Sequence, residues 1–196
     1  CFEATGQLRR AEEFYALADA YWATIGNAGL RAVSANSRGV VQHLAGRYRD
    51  AHATFATAIE YARLGHVPQY QATALASLGD LYSDLQLWSR ADGAYRQARE
   101  VGGTAFVKSY LELAAVRQLV RQHHYAGAAY ALQQLPAETL ARHAPMAQLL
   151  RSRIACGQGD YAQAYQLASQ TAAAAEQSRA PLDQARAYLY AAQALA

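Results

Sequence analysis

Proline, lysine and cysteine are scarce in this chain. Only 4 of its 196 residues are proline, so long stretches are free of the residue that most disrupts a helix interior. Lysine occurs once, as Lys108, against 17 arginines. The arginines are scattered, with no run longer than Arg9-Arg10. A nucleic-acid-binding surface gathers its basic residues on one face or in one segment, so direct binding of DNA or RNA by this segment is not expected. The two cysteines, Cys1 and Cys156, are too few for a disulfide framework, and no CxxC or clustered Cys/His spacing suggests zinc. A reducing, cytoplasmic compartment is expected, with no metal and no cofactor. Apolar runs are short, such as Ala172–Ala175, against the roughly 18 residues a membrane span needs. Secretory signals and the GxxxxGK[ST], HExxH and GxSxG motifs are missing too, and no enzyme is expected. The chain starts at Cys1 without an initiator methionine and stops within a helical pattern at Ala196. It reads as a piece of a longer protein.

What the chain does have is alanine, 47 residues of it. Alanine is the best helix former, and the composition predicts an all-α protein of one domain or one compact array. Self-comparison then reveals a repeat. Five anchors, Leu8, Tyr48, Trp88, Tyr125 and Tyr161, are separated by 40, 40, 37 and 36 residues. Three residues after each stands alanine: Ala11, Ala51, Ala91, Ala128 and Ala164. Seven residues after come Tyr15, Phe55, Tyr95, Leu132 and Ala168, and ten after come Ala18, Ala58, Ala98, Leu135 and Thr171. Two before the anchor stand Gly6, Gly46 and Gly159, with Gln86 and His123 in the other copies. Nine before stand Gly39, Gly79, Val116 and Ser152.

These offsets have a mechanical meaning. Anchor, +3, +7 and +10 share one face of an α-helix. Small residues at +3 and +10 admit a neighbouring helix, and the aromatic at +7 fills the space between helices. A glycine two before the anchor suits a tight turn. Gly39 and Gly79 fall within helices, where glycine costs about 1 kcal/mol relative to alanine. That cost is reasonable only if a side chain there would strike the partner helix. Each repeat is therefore an antiparallel helix pair, A then B. The expected helices are 8–26, 29–46, 48–65, 69–86, 88–101, 104–122, 124–135, 145–157 and 161–179. A short connection follows Pro136, and Pro181 opens a last helix. That makes about four complete pairs with a half repeat at each end, whose uncovered faces predict self-association.

The pattern resembles the tetratricopeptide repeat family. The third copy carries it best, with Leu75, Leu78-Gly79, Tyr82, Trp88, Ala91, Tyr95 and Ala98; the second has Gly39, Gly46, Tyr48, Ala51, Phe55 and Ala58. The later copies depart from it. Ala115-Val116 and Arg151-Ser152 replace Leu-Gly, and Leu132 and Ala168 replace the aromatic. The resemblance implies a right-handed α-α superhelix, one solenoid over residues 1–196, whose A helices line a concave groove. The implied inward residues are Asn36, Val40 and His43; then Thr73, Asp80, Ser83 and Asp84; then Tyr110, Leu113, Arg117 and Arg121; then Met146, Leu149 and Arg153; and last Arg186 and Gln193. The row is acidic in the third copy and rich in arginine from the fourth. Those arginines would hold a carboxylate or phosphate, or pair with Asp80 and Asp84.

The roughly 40-residue period and the Lys-poor, Ala/Arg-rich helices look like the repeat region of MalT-like and LuxR-like bacterial transcription regulators. In such proteins an ATPase domain precedes the repeats and a helix-turn-helix follows them. The resemblance implies a sensor that takes a small-molecule inducer or a regulatory protein in the groove, changes curvature and releases self-association. The alternative is a scaffold that holds an extended peptide or partner helix there. His123-His124 falls at a turn and reads as solvent-exposed rather than ligating. Cys156 reads as a packed thiol. Tyr15, Trp22, Phe55, Tyr82, Trp88 and Tyr95 read as core, while Tyr21, Tyr61, Tyr70 and Tyr110 are candidates for stacking on a sugar or peptide.

Overall fold

The structure, a computed structural model, describes residues 7–178 and 180–195; Cys1 and Gly6 lie outside them. Among the described residues eleven helices account for the secondary structure and there is no strand. No helix among them is long and apolar enough to cross a membrane. They are α1 (Leu8–Thr24), α2 (Ala28–Leu44), α3 (Tyr48–Leu64), α4 (Pro68–Asp84), α5 (Trp88–Val101), α6 (Ala105–Arg121), α7 (Tyr125–Gln133), α8 (Ala137–Arg142), α9 (Ala144–Gly157), α10 (Tyr161–Gln177) and α11 (Pro181–Leu195). Two compact units divide the chain within α6, one from Gln7 to Leu111 and one from Glu112 onward.

In the first unit each helix from α1 to α5 packs against the next, and α2 also touches α4. In the second, α9, α10 and α11 pack in the same sequential way, and α9 also touches α11. The arrangement is a series of antiparallel helix pairs, as a helical repeat requires. Neighbouring A helices meet, whereas the B helices α3 and α5 do not pack on each other among the described residues.

Six connections are the same turn built on different residues. Each is three residues long, and its middle residue has positive φ: Gly26, Gly46, His66, Gln86, His123 and Gly159. In the second turn the Gly46 amide donates to the His43 carbonyl (2.9 Å) and the Arg47 amide to the Gln42 carbonyl (2.9 Å). The same two bonds recur at the other five turns. They are the paired bonds of a Schellman motif, which satisfies carbonyls orphaned at the helix end. Glycine meets the left-handed geometry without a Cβ penalty; His66, Gln86 and His123 meet it at a cost.

The packing explains the conserved-looking offsets within the chain. All five +3 alanines are buried, at 4% exposure or less. The glycines nine before the anchor receive the +7 aromatic of the same repeat. A Cβ on Gly39 would stand 2.6 Å from the Phe55 ring, and one on Gly79 would stand 2.4 Å from the Tyr95 ring. The later copies fill the same space differently. Val116 and Leu132 are buried together in one cluster. The fully buried Ser152 donates its hydroxyl to the Ala164 carbonyl (2.8 Å), near the buried Ala168.

Two expectations need correction. The stretch after Pro136 holds a helix, α8, rather than a plain connection. Pro136 sits at its N-cap with extended ψ. Buried Thr139 donates its hydroxyl to Glu112 (2.7 Å), and Leu140 packs on the core of the second unit. Ser83, Leu113 and Leu149 do not line a surface: they are 1%, 0% and 8% exposed.

Candidate functional site

The polar row on the A helices of the first unit starts at Asn36 and His43 on α2, both half-buried. They are seven residues apart, about two turns, which places them on one side of the helix. The Asn36 Oδ1 is buried and accepts no hydrogen bond from the protein. His43 reaches across to the neighbouring A helix, where its Nε2 lies 2.7 Å from Asp84 Oδ2. Its ring also stands edge-on to Tyr48, with centroids 5.9 Å apart.

Asp80, one turn before Asp84 on α4, is committed to the fold. Its Oδ1 accepts the Tyr95 hydroxyl (2.7 Å), and its Oδ2 accepts the Tyr110 hydroxyl from α6. One carboxylate thus ties three helices together. The ring that rests on Gly79 and the hydroxyl that meets Asp80 belong to the same Tyr95, so residues 79 and 80 hold one side chain. In the second repeat Phe55 has no hydroxyl, and Val40 stands where the third has Asp80.

In the second unit Arg153 of α9 is braced from α11. Its Nη1 donates to Gln193, and its guanidinium carbon lies 5.0 Å from the Tyr190 ring centroid. Arg186 is exposed and stands 3.6 Å from Asp183, three residues before it on α11. Arg117 and Arg121, on the last turns of α6, are half-buried and engaged rather than free. Arg121 also lies in the last turn, where a cation is favoured by the helix dipole.

Several pairings were not visible in the sequence, because each spans a long separation. Glu12 of α1 accepts from Gln42 (2.9 Å) and from both terminal nitrogens of Arg47. The Arg47 contact holds the Glu12 carboxyl below its usual range and raises Arg47 in return. Arg31 donates to Asp19 (2.9 Å), which raises it above the ordinary guanidinium value. It also lies 4.0 Å from the Tyr61 ring centroid. Tyr61 and Tyr110, candidates for stacking on a ligand, are therefore occupied within the protein. Tyr21 is exposed and packs on Trp22, with centroids 5.0 Å apart. Tyr70 is half-buried.

His123 is the positive-φ residue of its turn, and its Nδ1 lies 2.8 Å from the Tyr125 hydroxyl; His124 is the N-cap of α7. Both are exposed. Cys156 is half-buried and lines a cleft of about 560 Å³ with Arg153, Gln193, Tyr125 and Tyr161. A Cβ on Gly157 would stand 2.4 Å from the Tyr125 ring. The sequence did carry a signal for this cleft: Gly157 stands four before its anchor, where the other copies have Leu44, Asp84 and Arg121. Comparison with protein-family models, curated proteins and solved structures finds no match to this chain.

Proposed function

We propose that this chain is a non-catalytic binding segment, a right-handed solenoid of the tetratricopeptide type whose A helices carry a ligand-reading groove. In this reading it is the sensor or interaction region of a MalT-like, LuxR-type transcription regulator. The observation that supports it best is the row of polar side chains on neighbouring A helices, with His43 and Asp84 joined at 2.7 Å. Such a row presents one set of groups per repeat, which suits an extended ligand. The meeting of A helices, and the separation of α3 from α5, favour the A side as the inner one.

A ligand that prefers one curvature shifts the array toward it by its difference in affinity. Two measurements test this. Melting is followed with oligosaccharides, nucleotides and acidic peptides; a groove ligand at a hundred times its Kd stabilises by about 2.7 kcal/mol. The expected result is a rise with one class that is lost in His43→Ala and Asp84→Asn. A ligand that raises melting equally in both variants removes the groove assignment. The regulator reading also requires a Walker A motif upstream and a helix-turn-helix downstream in the same reading frame. A frame with neither leaves the scaffold reading in its place.

A further inference from the structure

We propose that the cleft of the second unit binds a small aromatic anion. The site is formed by α9, α11 and the first residues of α7 and α10, and its volume of about 560 Å³ lies in the range of small-molecule pockets. Among the described residues that line it, Arg153 is the charged one and none is a carboxylate. The guanidinium is already oriented: Nη1 is fixed by Gln193, and its carbon lies over the Tyr190 ring. A braced guanidinium loses little freedom on binding and presents further N–H donors to a planar or tetrahedral oxyanion. Tyr125 and Tyr161 supply aromatic walls for the body of the ligand. Gly157 leaves out the side chain that the other copies place at this step, and Tyr125 lies directly over it. A cationic head and two aromatic faces thus share one open space. The inference concerns this unit alone and does not depend on the regulator reading above, so either can fail without the other.

Cys156 lines the same cleft and reports on its occupancy. In a Cys1→Ser protein, Cys156 is the one remaining thiol. Its rate of reaction with an aromatic disulfide reagent is measured with benzoate, phenyl phosphate and neutral benzyl alcohol. Saturable slowing by benzoate or phenyl phosphate, and not by benzyl alcohol, is the expected result. The anion that protects at the lower concentration identifies the head group as carboxylate or phosphate ester. Arg153→Gln should weaken protection about tenfold or more, the effect of losing a charged hydrogen-bond donor, while Arg142→Gln, exposed on α8 and outside the cleft, leaves it unchanged. Absence of protection by either anion overturns the proposal, as does equal protection by benzyl alcohol. Equal protection in a folded Arg153→Gln does the same. If that variant does not fold, the comparison of charged with neutral probes on the unaltered cleft decides the matter.

Discussion

Replacing Gly79 by alanine sets two opposing effects against each other. Within an exposed helix the change stabilises by about 1 kcal/mol, because alanine loses less backbone entropy. At Gly79 the new methyl would stand 2.4 Å and 2.5 Å from two carbons of the Tyr95 ring. The ring has little room to yield, since Tyr95 is 2% exposed and its hydroxyl donates to Asp80 at 2.7 Å. Overpacking of this kind costs about 1–3 kcal/mol, and a lost bond to a carboxylate costs about 1.5–3 kcal/mol more. The net expectation is a destabilisation of about 1.5–5 kcal/mol, opposite in sign to helix propensity. Gly93 is the control: it lies within α5, and a Cβ there meets nothing within 4 Å. Gly93→Ala should stabilise by up to about 1 kcal/mol. Urea denaturation followed by helical circular dichroism reads both as shifts of the midpoint at constant slope. Gly79→Ala should also cost less in a Tyr95→Leu background, because the ring that it strikes is gone. If Gly79→Ala stabilises as much as Gly93→Ala, the glycine is not there to receive the ring, and the account of the repeat core fails.

Gln86→Gly and His123→Gly should each stabilise by about 0.5–1 kcal/mol, because both residues hold φ near +60° (58° and 61°); a thermal melt that falls or stays level contradicts the strain argument. Glu12 is lowered by its contact with Arg47, so the stability it confers is present above its unfolded value and is lost as pH falls through the folded one. Below about pH 4.5 the native chain should lose stability faster than Glu12→Gln, and parallel pH profiles would refute the link. Asp80→Asn should destabilise by about 1.5–3 kcal/mol, since two tyrosine hydroxyls donate to that carboxylate; an unchanged urea midpoint would show that the three-helix tie is idle.

Local signals were legible in the sequence and distant ones were not. The +3 alanines mark buried positions in all five copies, because only a small side chain permits the close approach of two helices there. Turn positions were also readable from Gly46 and Gly159, which need no Cβ at positive φ. Helix α8 escaped detection because six residues are too few for a periodic pattern; burial of Thr139 and its bond to Glu112 hold it instead. The family resemblance implies an open surface at Ser83, Leu113 and Leu149, yet all three are buried. The candidate site was readable as a set of positions but not as a set of partners. His43 meets Asp84 from 41 residues away, and Arg153 meets Gln193 from 40. Those are close to one repeat length, so the contacts follow the period, but which residue types meet is decided by side-chain geometry.

The repeat also varies in a coupled way, and that coupling separates structural from functional chemistry. Nine before the anchor, Gly39 and Gly79 accompany aromatics at +7, while Val116 accompanies Leu132 and Ser152 accompanies Ala168. In the second and third copies a ring is matched by a glycine, as close packing demands; Val116 with Leu132 pairs two mid-sized side chains, and Ser152 with Ala168 two small ones. Eight before the anchor, Val40 accompanies Phe55, and Asp80 accompanies Tyr95 and takes its hydroxyl. Asp80 is thus explained by a partner inside the repeat, as a polar tip buried beside an aromatic core requires. At the same offset Arg153 has no such explanation, because Ala168, its counterpart at +7, offers nothing to pair with. Its partners lie instead on α11, beside an open cleft. A charge that the repeat's own packing does not require, held in a fixed orientation at the wall of a cavity, is the place where ligand chemistry should be sought first.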